Sequence, residues 1–333
     1  MNFRTRTILI LITLFFLNSV SFSQLEKWKH FDKTNSGLPT NTIRSVTQDS
    51  KGNYWICTWD AGLVKFDGKK WTVFNTQNSG LPNNCAYSVT FDKKGNIYIG
   101  TMGGGLAIFD GKSKWKVYNT KNSQIPEDWL YSVALDKKSH IWVGTFSEGL
   151  GVFDGKQWKI YNKTNSILHD NKVTYIDIDK SDNKILATQA DLVFIIDGKW
   201  KSESDMKADS LDYIAYWISK TKDGKRLISY KYSGGIVIFD GKNFQSYKKS
   251  NSKIPIEGFY SAVEDNKKVI WAGSFGQGVV NYDGVNWELW NKTNSPLKDN
   301  LIFNVYVDSK NNKWFSTYFG GISIFNEDGV KLN

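Results

Sequence analysis

The sequence predicts an all-β fold, a seven-bladed β-propeller with four antiparallel strands in each blade. The first observation is a repeat, because aromatic residues begin short predicted strands at intervals of 42 to 44 residues. The second is that each repeat holds four strand-like runs separated by turn residues. A period near 43 residues with four short strands is typical of a propeller blade. The repeated aromatic residues are Trp28, Trp71, Trp115, Trp158, Trp200, Phe244 and Trp287.

The third copy shows the strands most clearly. Trp115–Tyr118 alternates apolar and polar residues and predicts an outer strand, which a polar connection containing Pro126 follows. The three remaining strands of this copy are predicted at 130–135, 141–145 and 150–153. After the last of them, an Asp-Gly pair leads into the next outer strand, and this pair favours a type I′ hairpin turn because both residues tolerate a positive φ. The Asp-Gly pairs begin at Asp67, Asp110, Asp154, Asp197, Asp240 and Asp283.

The two ends of the repeat predict how the ring closes. The first strand, Trp28–Phe31, has the outer-strand pattern, whereas the last copy ends at Ile322–Phe325 without an outer strand of its own. Pairing these two strands would complete the last blade and remove two exposed sheet edges. We therefore expect residues 24–333 to form one propeller domain.

Residues 1–23 are predicted to be a secretory signal peptide. Arg4 and Arg6 precede an apolar run over 8–20, and Ser21-Phe22-Ser23 has the small residues that precede cleavage before Gln24. The run is shorter than the about 18 residues needed to span a bilayer, so we expect no stable membrane insertion after cleavage. We expect a bacterial periplasmic or secreted protein; a retained membrane anchor is the alternative.

The charge balance does not indicate a nucleic-acid partner. The formal net charge is +10, but beyond the signal peptide the only arginines are Arg44 and Arg226. The other positive charges are lysines scattered through predicted turns, whereas nucleic-acid readers concentrate Arg and Lys in one stripe. We expect this scattered charge to support solubility, and no nucleic acid to be bound.

One position in the strand after the innermost strand carries a small residue in every copy. Close approach of the neighbouring blade is the physical reason we infer. Cys57 occupies this position, which makes it a packing residue, although a disulfide between Cys57 and Cys85 remains an alternative. The residues at this position are Cys57, Gly100, Gly144, Ala187, Ser229, Gly273 and Ser316.

The sequence contains no catalytic or metal-binding motif, and we expect no cofactor. The three carboxylates Asp177, Asp179 and Asp182 align with an ordinary turn and lack the ligand spacing of a calcium loop. The three histidines lie in three different repeat positions, so no catalytic constellation is indicated. The less favoured alternative is a lyase or hydrolase that uses acidic residues of the loops.

The repeat pattern resembles the two-component regulator propeller repeat. The residues that carry the resemblance are Ser88-Val89 with Asp92, Gly95–Thr101 and Gly104–Asp110. The resemblance implies a propeller of the kind found in the extracytoplasmic sensor of bacterial hybrid histidine kinases, which often recognise carbohydrate fragments. We expect the recognition role here but not the signalling role. The sequence is also superficially similar to a propeller lyase of streptogramin antibiotics, whose metal-bound His and Glu pairs have no counterpart here.

The two faces of the predicted ring differ in their connections. The turn face carries the short, regular, lysine-rich turns that contain the Asp-Gly pairs. The loop face carries the longer outer-to-inner connections and the loops between the two middle strands, where aromatic and acidic residues occur outside the repeated positions. Aromatic rings with carboxylates suit sugar rings or peptide side chains. The predicted ligand-binding residues are Trp59, Asp60, Trp129, Phe146, Glu148, Tyr232, Phe275 and Tyr318.

The predicted function is non-catalytic recognition of an oligosaccharide or peptide at the loop face, as a soluble sensor or receptor component. The alternative is a protein-interaction scaffold in an envelope complex, without a small ligand. A ring of bulky residues early in the innermost strands either plugs the central channel or lines a ligand site at its mouth. These residues are Arg44, Tyr87, Tyr131, Thr174, Tyr216, Tyr260 and Phe303.

Overall fold

Seven antiparallel sheets of four strands each are arranged as blades around a central channel, which confirms the predicted propeller. The computed structural model describes residues 26–206 and 214–332. The predicted signal peptide lies outside these residues. Each of the first six blades runs outward in chain order, so its first strand is innermost and its fourth strand is outermost.

The strands have the following bounds. Blade 1 holds β2 (Ile43–Gln48), β3 (Tyr54–Thr58), β4 (Leu63–Phe66) and β5 (Trp71–Phe74), and blade 2 holds β6 (Ala86–Phe91), β7 (Ile97–Thr101), β8 (Leu106–Phe109) and β9 (Trp115–Tyr118). Blade 3 holds β10 (Leu130–Leu135), β11 (Ile141–Thr145), β12 (Leu150–Phe153) and β13 (Trp158–Tyr161), and blade 4 holds β14 (Val173–Ile178), β15 (Lys184–Thr188), β16 (Leu192–Ile196) and β17 (Lys199–Lys201). Blade 5 holds β18 (Ala215–Lys220), β19 (Arg226–Tyr230), β20 (Ile236–Phe239) and β21 (Phe244–Tyr247), and blade 6 holds β22 (Phe259–Glu264), β23 (Ile270–Ser274), β24 (Val279–Tyr282) and β25 (Trp287–Trp290). Blade 7 holds β26 (Ile302–Val307), β27 (Lys313–Thr317), β28 (Ile322–Phe325) and β1 (Trp28–Phe31), and a 3₁₀ turn spans Ser204–Met206.

The first strand of the chain closes the ring, as predicted. β1 pairs antiparallel with β28, with Trp28 opposite Phe325 and Phe31 opposite Ile322. The Trp28 ring lies 5.0 Å from Phe325 and 5.6 Å from Trp290 of blade 6, measured between ring centroids. Blade 7 therefore joins the two ends of the chain by backbone hydrogen bonds and fixes them with aromatic packing.

Tryptophans at a second repeated position close the turn that follows the innermost strand in blades 1, 3, 6 and 7. In four blades the indole Nε1–H donates to the carboxylate that ends the innermost strand, as Trp55 does to Asp49 at 2.9 Å. The same Asp49 carboxylate accepts the backbone N–H groups of Lys51 and Asn53. Burial alone would raise the pKa of Asp49, but the hydrogen bonds from Trp55 and Asn53 outweigh it and lower that pKa. The other three pairs are Trp142 with Asp136, Trp271 with Asp265, and Trp314 with Asp308.

The small-residue position has the close approach that the sequence predicts. A Cβ placed on Gly144 would lie 2.5 Å from the Val173 carbonyl oxygen of the next blade, and one on Gly273 would lie 2.5 Å from Ile302. Cys57 is fully buried at this position, and burial raises the pKa of its thiol to about 12. Cys57 and Cys85 are both free thiols, so the packing role holds and the disulfide alternative does not.

The Asp-Gly turns differ from the sequence prediction. Both residues have a positive φ only at Asp197-Gly198, where the values are 50° and 74°. In the other five turns only the glycine has a positive φ, so the prediction of type I′ geometry is wrong there. The physical reason is that the aspartate side chain supports the turn itself, as when Asp67 accepts the N–H groups of Lys69 and Lys70.

A buried lysine links blades 6 and 7 at the turn face. Lys313 has a fully buried side chain, and its Nζ donates to Glu327 and lies 3.0 Å from an Asp265 carboxylate oxygen. Lys267 lies 2.8 Å from the other Glu327 oxygen. Burial alone would raise the pKa of Glu327, but hydrogen bonds from Lys267 and Lys313 outweigh it and lower the pKa to about 2.

We expect the Trp28→Ala variant to lose stability because it removes the ring that packs across the closure between blades 6 and 7. A loss of about 2–3 kcal/mol in the free energy of unfolding is expected for such a large-to-small change. Urea unfolding of the purified protein measures it. Trp129→Ala is the matched control, because Trp129 is 49% exposed and lies outside the repeated positions. Equal stability of the two variants would contradict this account of the closure.

We expect Glu327 to make stability depend on pH in the acid range. A carboxyl group whose pKa is lowered on folding contributes stability above its unfolded pKa of about 4.3, and loses it as the pH falls toward the folded value. Glu327→Gln should therefore reduce the free energy of unfolding by about 2 kcal/mol at pH 7, and by less at pH 3. Urea midpoints at the two pH values test this, with Glu26→Gln as the exposed control. A constant loss at both pH values would refute it.

Candidate functional site

An irregularity in the innermost strands positions the centre of the site. In all seven innermost strands the pairing register with the second strand shifts at the same place and leaves one residue unpaired. Such a β-bulge re-aims a side chain and locally bends the strand. These bulges were not predicted, but the residues they carry form the predicted ring of bulky side chains: Arg44, Tyr87, Tyr131, Thr174, Tyr216, Tyr260 and Phe303.

These side chains close the channel at its loop end, in agreement with the plug interpretation. The hydroxyls of Tyr87 and Tyr216, from blades 2 and 5, lie 2.9 Å apart across the ring. Tyr260 packs between Tyr216 and Phe303, at centroid distances of 4.9 and 5.0 Å. The guanidinium of Arg44 lies 4.1 Å from the centre of the Tyr87 ring. The plug is therefore an aromatic layer that holds one buried cation.

Two of the predicted site residues form an exposed pair above the plug. Trp129 and Phe146 are 49% and 43% exposed, and their ring centroids lie 6.0 Å apart. Phe146 also stacks on Tyr131 of the plug at 5.8 Å. Lys172 of the next blade places its Nζ 4.6 Å from the centre of the Phe146 ring. The pair therefore has an apolar surface with a cation at one edge.

Tyr232 and Phe275 form a second exposed pair around a lysine. They are 60% and 56% exposed, and the Lys231 Nζ lies 5.3 Å from the Tyr232 ring and 5.8 Å from the Phe275 ring. Tyr232 has a φ of 91°, a backbone conformation that is strained for a bulky residue and often occurs at binding sites. A recess of about 200 Å³ lies beside it, lined by residues that include Lys172, Gln189, Tyr216, Lys231 and Tyr232.

Trp59 and Tyr318 lie closer to the centre of the ring. Trp59 is partly buried and packs on Tyr87 at 5.6 Å and Phe303 at 5.8 Å. Tyr318 packs on Phe303 at 5.5 Å. These contacts join both residues to the plug, so the structure brings the predicted aromatic residues and the plug into one continuous surface on the loop face.

The acidic residues are less closely grouped than the aromatic ones. Asp60 and Glu148 are exposed, and the Asp60 carboxylate accepts a 3.4 Å hydrogen bond from Thr40. Glu127, which the sequence places beside this face, accepts the Ser147 N–H and shapes the loop between β11 and β12. The structure therefore shows no pair of carboxylates facing one another among the predicted site residues that it describes.

Two further acids belong to a repeated position that sequence reasoning missed. In six copies a side-chain oxygen accepts the N–H of the residue eight positions earlier, and this bond fixes the loop before the innermost strand. Asp128 does so for Thr120 at 2.8 Å, and Glu257 for Lys249 at 2.7 Å. The repeat spacing could have revealed the position, but its residue type changes from copy to copy. The other four acceptors are Asn41, Asn84, Asn171 and Asn300.

Cations are the charged groups that accompany the exposed rings. Lys172 and Lys231 each lie over aromatic rings from two elements, and both border the recess. Neither lysine is among the predicted ligand-binding residues, whose charged members are the carboxylates Asp60 and Glu148. Their signal was weak, because lysines are frequent throughout this chain.

Comparison with known proteins supports the resemblance drawn from the repeat pattern. The two component regulator propeller model matches residues 37–60 and 80–103, which lie in the first two copies. Each match runs from the end of an outer-to-inner connection, through the innermost strand, to the loop after the second strand. A search of curated proteins gave no match.

Solved structures show the same fold at low sequence identity. The extracellular domain of a protein described as a hybrid two component system from B. thetaiotaomicron is 20% identical, with a TM-score of 0.75, over 90% of this chain and 41% of that one. A catalytically inactive virginiamycin B lyase from Staphylococcus aureus, with quinupristin, is 14% identical with a TM-score of 0.72, covering 90% and 98%. PorZ, a surface component of the type-IX secretion system of Porphyromonas gingivalis, is 17% identical with a TM-score of 0.61, covering 92% and 50%.

This chain spans about two fifths of the first of these proteins, so the likeness concerns its propeller and not the whole protein. All three sequence identities are low, and the structural similarity shows a shared fold. Within 26–206 and 214–332, no helix has the length and apolar character needed to cross a bilayer.

We expect Asp128→Asn to keep the stability of the wild type, because asparagine makes the same loop hydrogen bond in four other copies. Asp128→Ala should lower the free energy of unfolding by about 1 kcal/mol, since the Thr120 N–H then loses its acceptor. Urea unfolding of both variants measures the difference. If Asp128→Asn is as unstable as Asp128→Ala, the charge of Asp128 matters and the loop interpretation is wrong.

Proposed function

We propose that this chain is an exported, non-catalytic propeller that binds an oligosaccharide at its loop face. The observation that carries the proposal is two pairs of exposed rings, Trp129 with Phe146 and Tyr232 with Phe275, each beside a lysine that lines the recess. Large aromatic side chains exposed in this number favour aggregation unless a ligand or partner covers them. Their arrangement around a polar recess favours a ligand with both apolar faces and polar groups.

A sugar ring has both of these features. Its C–H face stacks on an aromatic ring, while its hydroxyl groups form hydrogen bonds with side chains around the edge. Gln189, Lys172, Lys231 and the Tyr232 hydroxyl provide such groups beside the recess. Both charged groups are cations, so an oligosaccharide with carboxylate or sulfate groups fits better than a neutral one.

The extracytoplasmic setting has separate support. The predicted signal peptide over 1–23 indicates export, and the first solved structure named above is an extracellular domain. The two component regulator propeller repeat is in keeping with a sensor or receptor component. PorZ, the type-IX secretion component, has a similar fold and belongs to a bacterial surface system. The experiment must therefore distinguish binding of an oligosaccharide from binding of a protein partner.

A binding role is favoured over an enzymatic one by the environment of the acids and histidines. Asp128 and Glu257 are engaged by loop backbone groups. The three histidines contact three separate aspartates, His30 with Asp32, His140 with Asp136, and His169 with Asp191. A general acid and base would need two such groups facing one substrate position.

We expect Trp129→Ala combined with Phe146→Ala to weaken oligosaccharide binding by 10-fold to 100-fold, roughly 1.5–3 kcal/mol for two central aromatic contacts. A glycan array identifies the ligand, and isothermal titration calorimetry measures the affinity of each variant for it. Ile160→Ala is the matched control, because Ile160 is an exposed apolar residue on the outer strand of the same blade.

Two results would count against this proposal. If the double variant binds the oligosaccharide with wild-type affinity, the site lies elsewhere on the molecule. If the array gives no ligand and a pull-down from envelope extract instead yields a partner whose capture depends on Trp129 and Phe146, the face is a protein-binding surface.

A further inference from the structure

A second cavity lies on the opposite side of the plug from the loop face. It has a volume of about 390 Å³, which is within the range of small-molecule sites, about 300–1,000 Å³. The plug residues Arg44, Tyr87 and Tyr131 form its inner end. Its outer end is lined by Asp177, Lys220, Lys222 and Glu264, from the ends of β14, β18 and β22 and the turn after β18, so the cavity is reached from the turn face.

Arg44 is a buried cation without an anionic partner. It is 3% exposed, and its Nε and Nη1 have no hydrogen-bond acceptor among the described residues. Its contacts are with aromatic rings, at 4.1 Å from Tyr87 and 5.8 Å from Tyr216, and none of the described ion pairs includes it. A buried charge without a counter-charge is destabilising, whereas an anion held in the cavity would complete the pair.

A second polar group at the cavity is also unsatisfied. Ser88 lines the cavity, and its hydroxyl oxygen is buried without a hydrogen-bond partner in the described structure. The Ser88 hydroxyl faces Gly100 of β7, because a Cβ placed on Gly100 would lie 2.7 Å from its oxygen. Arg44 is therefore the group that would hold an anion at the inner end, and its guanidinium is suited to a carboxylate, which accepts several hydrogen bonds.

The other charged groups that line the cavity lie at its outer end, and Asp177, Lys220 and Glu264 are engaged there. Asp177 lies 3.1 Å from Lys220 and 2.7 Å from Arg226, and Glu264 accepts the Lys222 N–H. Asp179, beside them, is paired with the same Arg226. The uncompensated charge at the inner end is therefore the single positive charge of Arg44, which favours a monoanion.

Two blades depart from the repeat to build an apolar wall of this cavity. The residue after the bulge is serine or asparagine in five blades, but it is Tyr175 in blade 4 and Trp217 in blade 5. These two rings lie 4.5 Å apart. Three of the serine and asparagine residues accept a backbone N–H from the next blade: Ser132 from Ile176, Ser261 from Val305, and Asn304 from Val46. Tyr175 and Trp217 cannot make this hydrogen bond to the next blade through a short polar side chain. Their rings instead form a flat apolar surface on which a ring-shaped molecule can stack.

We propose that this cavity binds a ring-shaped monocarboxylate the size of a sugar acid, with its carboxylate on Arg44 and its ring against Tyr175 and Trp217. The site is separate from the proposed oligosaccharide site, because the plug lies between them. It is reached from the turn face, which the sequence alone indicated to be an ordinary solvated surface.

The test uses glucuronate as the probe and glucose as its neutral counterpart. The chain contains only four arginines, so protein labelled with ¹⁵N-arginine gives few Nε–H signals, and an Arg44→Lys variant identifies that of Arg44. We expect glucuronate to shift the Arg44 signal saturably at millimolar concentrations. Glucose should leave it unchanged. Absence of a saturable shift with glucuronate, or an equal shift with glucose, would overturn the proposal.

Two variants locate the binding independently of how well the Arg44 variant folds. Trp217→Ser restores the residue type of the repeat, so the fold should be kept while glucuronate affinity falls at least 10-fold. The Trp129→Ala and Phe146→Ala double variant should bind glucuronate as the wild type does. Loss of the Arg44 shift in this double variant would place glucuronate on the loop face and refute the cavity site, and it would leave the oligosaccharide proposal intact.

Discussion

The antiparallel pairing of β1 with β28 is the contact on which the rest of the structure depends. Each of the other six blades is one continuous stretch of chain, and adjacent blades approach closely at small residues such as Gly144 and Gly273. Without the fourth strand of blade 7, this stack would have two ends and no fixed centre. The closed ring sets the distances across the channel, including the contact between the hydroxyls of Tyr87 and Tyr216.

Much of the architecture could be predicted because it repeats. The strand order, the closure by Trp28–Phe31 and the close approach at Cys57 follow from residue types that recur at a fixed period. The geometry of the Asp-Gly turns was predicted wrongly, because the local preference of the dipeptide was outweighed by hydrogen bonds from the aspartate side chain to the following backbone. The bulges were not recognised from the sequence, since the innermost strands begin with consecutive buried residues and show little alternation that an extra residue would disturb.

The site residues were harder to predict, because their properties depend on neighbouring blades. Trp129 and Phe146 stood out as aromatic residues away from the repeated positions, and they are exposed. Lys172 could not be selected, since its importance comes from lying over a ring of the preceding blade. Arg44 was recognised as part of the central ring, but only the structure shows that its Nε and Nη1 have no acceptor among the described residues. Tyr175 and Trp217 depart from the serine or asparagine of the other copies, and this departure could have indicated the cavity from the sequence.

The closure also determines where the two ends of the described chain meet. The Asn326 N–H donates to the Lys27 carbonyl, and the Val330 N–H donates to that of Glu26, so both ends run side by side at the outer part of blade 7. A short linker between them would turn the chain into an uninterrupted circle, which could be opened at another exposed turn, such as the one at Asp154-Gly155. The propeller is thus suited to circular permutation. In a permuted chain a different blade would join the two chain ends, while the packing between blades would stay the same.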